Sequence, residues 1–404
     1  MALIEAGFRV TVIEKQSDVG LGASFANGAT LTPSMSDPWN FPGVHRTLIR
    51  SLFQPTSPVA LRPAALPSLV AWGIRFLANS TPARHRASTR QNFRLARYSL
   101  HETQRLQDRF NLDFESRKRG VLRLFRNAGE MAAPLAVAEM LAPEGLDYEI
   151  LDAGGAAAVE PQLSGIREQI AGAIHYPIDE TGDAHLFCQA LKQTIRRLGG
   201  EILCGTEVCR IQRRGSRVTG VSLAEGDLPA KRVVVAAAHA SPSLLSDAGL
   251  CLSVKPVKGY SITIDTAELG NVPTVPVVDE TLHGLITPLD GRLRIAGTAE
   301  FAGPDTRIRP ERIAGLLSLL GQLYPHIRKR VRDGAVSPWA GLRPMSADGR
   351  PFIGETGIGG LYLNTGHGHL GWTMAAGSAK LLADLVTGSA PAIEPAPFRA
   401  TRAT

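Results

Sequence analysis

The sequence predicts an α/β fold: a parallel-sheet unit built from separated pieces, interrupted by an α+β unit with a mixed or antiparallel sheet. Three observations carry that expectation. Residues 8–14 (FRVTVIE) form a β-branched run between Gly7 and the polar KQSD, the pattern of a strand buried in a parallel sheet. Residues 184–238 read as a helix, a strand, a strand–turn–strand series and a final RVVVAAA strand. Residues 361–387 read as a strand, a glycine-rich turn and a helix. At 404 residues the chain exceeds one ordinary core, so two domains are expected. Residues 1–38, 165–250 and 340–404 are assigned to the first, and residues 39–164 and 251–339 to the second.

The elements follow in order. After the opening strand, GLGASFANGATLTPS (20–34) is a Gly/Ala/Ser-rich loop. Helical periodicity marks residues 63–78 and 86–110, the second with long amphipathic spacing. VLRLF (121–125) is a strand, and residues 131–141 form a short helix in a Pro-punctuated region. Asp183 caps a helix that stops at Gly199–Gly200. Alternating strands fill 253–300, a helix covers 310–323, and LYLNT (361–365) leads through glycines into a helix over 372–387. No internal repeat is visible.

Composition is that of a globular protein, 44% apolar and 20% charged. The four cysteines, Cys188, Cys204, Cys209 and Cys251, show no pairing pattern, so each is expected to be a small buried hydrophobe in a reducing compartment. No apolar run reaches about 18 residues, so no span is expected. No secretory pattern is read either, since Glu5 precedes any basic residue. The net charge of +7 is uneven: between Trp39 and His101 there is no Asp or Glu, but there are nine arginines. Apolar residues interleave them, including Leu48, Ile49, Leu52, Phe53 and the run LPSLVAWGIRFL. Two readings stay open, an Arg-rich face beside a core helix or contact with an anionic membrane surface through residues 39–101. No nucleic-acid reading motif is present.

Glu14 ends the opening strand, where an acid in a dinucleotide-binding unit accepts hydrogen bonds from the adenosine ribose. The glycine loop that cradles a pyrophosphate belongs about 20 residues earlier, which places it ahead of Met1. The G-x-G at Gly20 and Gly22 follows the strand and does not substitute. NTGHGHLGWTMAAGSAKLLADL (364–385) is the most informative stretch. Gly366, Gly368 and Gly371 permit close backbone approach to a bulky ligand, and the helix N-terminus offers N–H groups to negative charge. A plain turn is the alternative; a metal on His367 and His369 lacks further ligands nearby. Arg343, in the Pro- and Gly-rigid loop GLRPMSADGRPFIGE (341–355), suits a bidentate grip on a carboxylate, with Tyr260 as a supplementary hydroxyl. A surface Arg and a core Tyr are the plain alternatives. DETGD (179–183) reads as a helix cap on a solvated turn rather than as paired catalytic acids. No Ser–His–Asp set and no P-loop are present.

Together VTVIEK (10–15), ASFANGATLTP, PWNFPGV (38–44), IDETGDAHLF, VKPVKGYSITI, WAGLRPMSADGRPFIGE and NTGHGHLGWTMAAGS resemble the FAD-dependent D-amino-acid oxidase superfamily, and most closely its bacterial D-amino-acid dehydrogenases. The resemblance runs through essentially the whole chain. It implies an FAD-binding Rossmann-like domain, incomplete at its N-terminus as written, with an inserted substrate domain. It implies non-covalent FAD, hydride transfer from Cα of a D-amino acid to flavin N5 without a dedicated base, and release of 2-oxo acid and ammonia. Electrons would pass to a quinone or other respiratory acceptor, from a cytoplasmic protein peripheral on the inner face of the membrane. The implied cofactor residues are Glu14, Lys15, Ser24, Asn27, Gly28, Val208, Gly366, His367, Gly368, Gly371, Trp372 and Thr373. Arg343 and Tyr260 would hold the substrate carboxylate. Ala238 stands where the superfamily usually has Gly, and His369 where a smaller residue is usual. Because the glycine loop lies outside the sequence, a colourless or weakly flavinylated protein is expected. Two other readings stay open: a remnant or mis-started product without catalysis, and an oxygen-using oxidase of the same fold.

Overall fold

The computed structural model describes residues 1–52, 59–332 and 334–402. Helix α1 (Ala2–Glu5) leads into β1 (Thr11–Glu14), and β2 (Thr30–Leu31) follows the Gly/Ala/Ser-rich loop. Helix α2 (Val44–Leu52), β3 (Val59–Leu61), α3 (Leu66–Ala78) and α4 (Pro82–Phe110) come next. Strand β4 (Val121–Phe125), α5 (Ala128–Leu141), β5 (Glu149–Leu151), α6 (Ala153–Val159), β6 (Gly172–Tyr176) and β7 (Glu180–Thr181) precede α7 (Ala184–Arg197). Then come β8 (Glu201–Cys204), β9 (Val208–Arg214), β10 (Arg217–Leu223), β11 (Gly226–Pro229), β12 (Val233–Val235) and α8 (Ser241–Ser246). Strands β13 (Val254–Asp265), β14 (Val277–Asp279), β15 (Gly284–Leu289) and β16 (Arg292–Phe301) are followed by α9 (Pro310–Leu323) and α10 (Pro325–Arg328). The chain closes with β17 (Val336–Ser346), β18 (Phe352–Glu355), β19 (Leu361–Thr365) and α11 (Gly371–Thr387).

Local chemistry sets the boundaries. The Asp183 carboxylate accepts from the N–H groups of His185 (2.9 Å) and Leu186 (3.2 Å), which satisfies donors that the start of α7 would otherwise leave unpaired. Helix α4 begins four residues before its sequence expectation, because Thr81 caps it and Pro82 is pre-set for a first helical position.

A nine-stranded sheet dominates, in the order β17-β13-β16-β15-β14-β4-β6-β5 with β3 beside β16. Strand β17 is its edge, where Pro338 and Pro344 remove no ladder bond that a neighbour needs. Tyr260, Ile262 and Ile264 of β13 point to one face and pack with Leu316, Leu320 and Leu323 of α9. The other face of β13 and β17 looks toward the loops around residues 26 and 39. Smaller sheets carry the parallel pairs β1–β8 and β12–β19. Strands β6 and β17 pair into the large sheet, so domain divisions at residues 165 and 340 cut through it. The cysteines differ from expectation: Cys209 and Cys251 are exposed and the other two half-buried.

Helices α11 and α4 cross at Gly377, where an added Cβ would lie 2.7 Å from the Ser99 Cα. The Gly377 N–H donates to Ser99 Oγ at 3.0 Å. Gly377→Ala is therefore expected to cost about 1–3 kcal/mol through overpacking, read as a lower urea midpoint, whereas Gly388→Ala in open space should leave this crossing intact.

Candidate functional site

Strand β1 is paired along one edge, by β8, and β12 along one edge, by β19. The cavity between them has a volume of about 2210 Å³ and is also lined by the loop at 20–24 and by residues 340–342 of β17. Four of the expected cofactor residues line it: Glu14, Lys15, Ser24 and Val208. Glu14 is half-buried at the C-terminal end of β1, and its Oε1 accepts from the Gln16 N–H at 2.9 Å. His239, which the sequence reading passed over, lines the same cavity. Burial, and then the charge of Lys15, holds its imidazole below the ordinary range. The preceding Ala238 has φ +48°, a left-handed conformation costly for a residue with a Cβ.

The glycine turn after β19 follows from sterics. Gly366 has φ +79° and Gly368 φ +60°. A Cβ would fall 2.9 Å from the Phe352 ring at the first and 3.0 Å from Met345 Sδ at the second. Residue pairing between Met345 and His367 ties the end of β17 to this turn. Helix α11 has no side-chain cap, and a 3-10 turn at Gly368–Leu370 runs directly into its first residue, Gly371.

Arg343 lies in β17 and not in a loop, as the Pro/Gly content suggested. It pairs with Val257 while Gly341 pairs with Gly259, so Arg343 and Gly259 share a sheet face. The guanidinium occupies the space above Gly259, where a Cβ would clash at 2.2 Å. Its Nη1 donates to the Thr298 carbonyl at 3.1 Å, and its Cζ sits 5.4 Å from the Trp39 ring centre. That carbonyl is turned inward by a bulge in β16, with Thr298 held at φ +68°. No carboxylate pairs with Arg343 among the described residues. Burial alone pushes its pKa down to about 10, and it remains a cation at neutral pH.

Several expected ligands are placed elsewhere. Tyr260 points to the opposite face of β13, is 1% exposed, and donates to Glu300 at 2.5 Å. The two-residue side-chain period of the strand separates it from Arg343, so it does not join a carboxylate grip there. Its phenol is raised by burial and by that bond. The Trp372 ring packs on Phe114 and Phe187 and donates from Nε1 to Gly182 O at 3.1 Å; only its backbone remains at the helix start. The His367 ring turns back to Ser378 Oγ at 2.9 Å, and burial lowers its pKa to about 4. Thr373 Oγ1 accepts from the Thr32 N–H at 3.1 Å. Asn27 Oδ1 accepts from the Ala29 N–H, and Gly28 O accepts from Thr287 Oγ1, so this loop lies against the large sheet. No cluster with metal-ligand character occurs among the described residues.

The 179–183 segment is not a solvated turn: Asp179, Glu180 and Asp183 are all buried. Asp179 accepts from Ser34 N (3.2 Å) and Ser34 Oγ (2.5 Å). It thereby anchors the turn at residues 33–35, whose Met35 carbonyl faces His369 at 3.4 Å. Burial pushes the Asp179 carboxyl up to about 7 despite the Ser34 bonds.

Residues 1–385 match the family described as FAD dependent oxidoreductase. The chain is 41% identical over 392 residues to the D-amino acid dehydrogenase of Methylobacterium radiotolerans, covering 97% of this chain and 93% of that protein. It is 40% identical over 394 residues to the D-amino acid dehydrogenase of Cereibacter sphaeroides, covering 98% and 90%. Among solved structures, glycine oxidase from Geobacillus kaustophilus superposes with a TM-score of 0.75 at 25% identity, covering 100% of this chain and 94% of that one.

The raised Asp179 pKa has a consequence for stability. Between the unfolded carboxylate range and about 7, the folded chain binds the extra proton, so stability falls as pH rises through that window. Asp179→Asn keeps a partner for Ser34 and removes the buried charge. Its stability relative to the parent should therefore improve between pH 5 and 8 in urea titrations; a pH-independent difference would remove the titration from Asp179.

Proposed function

We propose, for a chain that belongs to the FAD dependent oxidoreductase family, that it oxidises free D-amino acids to imino acids, which water converts to 2-oxo acids and ammonia. The observation that carries this reading is Arg343, a half-buried guanidinium with one neutral protein acceptor beside the Gly366–Gly368 turn. A substrate carboxylate supplies the anion that this site lacks. The resemblance to D-amino acid dehydrogenases over nearly the full chain supports the same substrate class.

The residues present fit FAD. The cavity reaches from Glu14 to residues 340–342 of β17, and α11 begins without a side-chain cap. Glu14 would take the ribose hydroxyls, Ser24 and Val208 the adjoining wall, and the backbone of residues 366–373 the isoalloxazine. Bound non-covalently, FAD supplies the acceptor for the hydride leaving Cα. Arg343 fixes the carboxylate and so the direction of the Cα–H bond, and orientation of this kind lowers the barrier without a proton-transfer residue. The substrate's ammonium must first lose one proton to water, so that the neutral amine's lone pair can form the C=N bond as the hydride leaves Cα; water then hydrolyses the resulting iminium.

The electrons then pass to an acceptor, for which we favour a quinone of the respiratory chain. The exposed face of α3 supports a site near the membrane. Leu66, Val70, Ile74 and Leu77 are 40%, 59%, 65% and 44% exposed, while Leu69, Trp72 and Phe76 of the same helix are buried. Ile49 and Phe41 are further exposed apolar residues of the same stretch, and Arg46, Arg75 and Arg86 are exposed cations within it. Phe53 lies outside the described residues. Other arginines of the stretch are committed internally, Arg62 to Glu300 and Arg94 to Glu144. No described helix is long and apolar enough to cross a membrane; the contact we propose is a peripheral one.

The reading is tested by a panel of D- and L-amino acids with a dye acceptor. Dye reduction by the D-forms is expected; peroxide formed in proportion to substrate would make the protein an oxidase, and no reaction would sink the proposal. Arg343→Ala should lower kcat/KM by about 30-fold or more, mainly through KM, with flavin content unchanged. Sedimentation with vesicles containing phosphatidylglycerol should capture the parent at low salt, and Ile74→Glu should abolish capture without changing dye reduction. Equal capture by neutral vesicles would remove the charge component.

A further inference from the structure

Resting on the amino-acid reading above, we infer that His369 receives the substrate's amino group while Arg343 receives its carboxylate. The His369 ring lies nearly parallel to Trp39, with centres 5.0 Å apart and planes inclined by 15°. The Arg343 guanidinium lies 5.4 Å from the centre of the same indole. One side chain thus holds both groups, and the Met345–His367 pairing fixes the strand end against the turn. In an α-amino acid the amine and carboxylate share a carbon, and here both proposed partners flank one indole.

The hydrogen bonding of the ring decides its role. His369 Nε2 lies 3.4 Å from the Met35 carbonyl oxygen. A carbonyl only accepts, so Nε2 carries the hydrogen and Nδ1 the lone pair. Among the described residues no protein donor reaches Nδ1. Burial holds the imidazole near 4, with Asp37 raising it slightly and Arg343 opposing, so the ring is a neutral acceptor throughout the neutral range. A neutral acceptor suits the chemistry. An anion would hold the amine as ammonium, which has no lone pair for the C=N bond, whereas an imidazole Nδ1 binds an N–H and leaves that lone pair available. Asp37, whose field reaches the ring, is the competing acceptor.

Isothermal titration of the FAD-loaded protein with 2-aminoisobutyrate and isobutyrate tests this. The two differ by the amino group, and 2-aminoisobutyrate has no Cα hydrogen to lose. The parent should prefer the amine by about fivefold, the worth of one hydrogen bond. His369→Phe, which keeps the stack on Trp39, should lose the preference while its isobutyrate affinity stays within about twofold. His369→Asn, which returns an acceptor near the Nδ1 position, should retain it, and Arg343→Ala should weaken both ligands. The inference is overturned by a preference that survives in His369→Phe, by equal weakening of both ligands there, by loss in Asp37→Asn instead, or by a parent without preference. Failure of the underlying reading shows separately, as no dye reduction by D-alanine in the parent.

Discussion

A guanidinium withdrawn from water must have its charge answered, and around Arg343 the fold withholds the answer. Gly259 clears the room, the β16 bulge turns one carbonyl toward Nη1, and no carboxylate pairs with it among the described residues. The contrast with the opposite face of the same sheet is direct. There Glu300, fully buried, is surrounded by Lys258, Arg62, Arg309 and the Tyr260 hydroxyl. One face pairs its charges internally, as a stable core requires; the other leaves Arg343 with a single carbonyl acceptor among the described residues, the setting that the proposed carboxylate grip needs. Thr298 at φ +68° is backbone strain of the kind that persists where the surroundings over-determine it.

Much of this was legible in the sequence because it rests on local chemistry. The strand at 121–125, the helix at 310–323 and the Asp183 cap follow from periodicity and capping alone. Arg343 could be singled out because an arginine amid Gly and Pro has few structural duties. Its true setting, an edge strand, was hidden because Pro reads as a loop signal although an edge tolerates it. Tyr260 was misplaced for a different reason. Which face a strand residue takes depends on register, and one residue decides it. Trp39 and His369 are 330 positions apart, and a stack between them leaves no trace in spacing. The burial of Asp179 was equally invisible, since acids beside a cap usually face water.

The two open strand edges, of β1 and β12, face one cavity. Side chains such as Val10, Val12, Val233 and Val235 line it, yet each unpaired edge also presents N–H and C=O groups. Those groups cost free energy if covered without partners. Only a partner that both donates and accepts along the strand direction answers such an edge. Glu14 at the end of β1 lines the same cavity, and on the proposed reading it would take hydroxyl donors there.

The histidines of the turn complete the electrostatic logic. Two imidazoles within three residues of each other would, if protonated, place two further cations near Arg343 and repel it. Burial prevents this, holding His367 and His369 near 4. Their neutrality keeps the attraction for anions concentrated on the guanidinium and the α11 dipole, and leaves the ring nitrogens as oriented hydrogen-bonding groups rather than charges. On the proposed reading, a neutral acceptor and a lone cation beside one indole would distinguish the two ends of an amino acid: the carboxylate needs the charge, and the amine must not be held as a cation if its lone pair is to form the new bond.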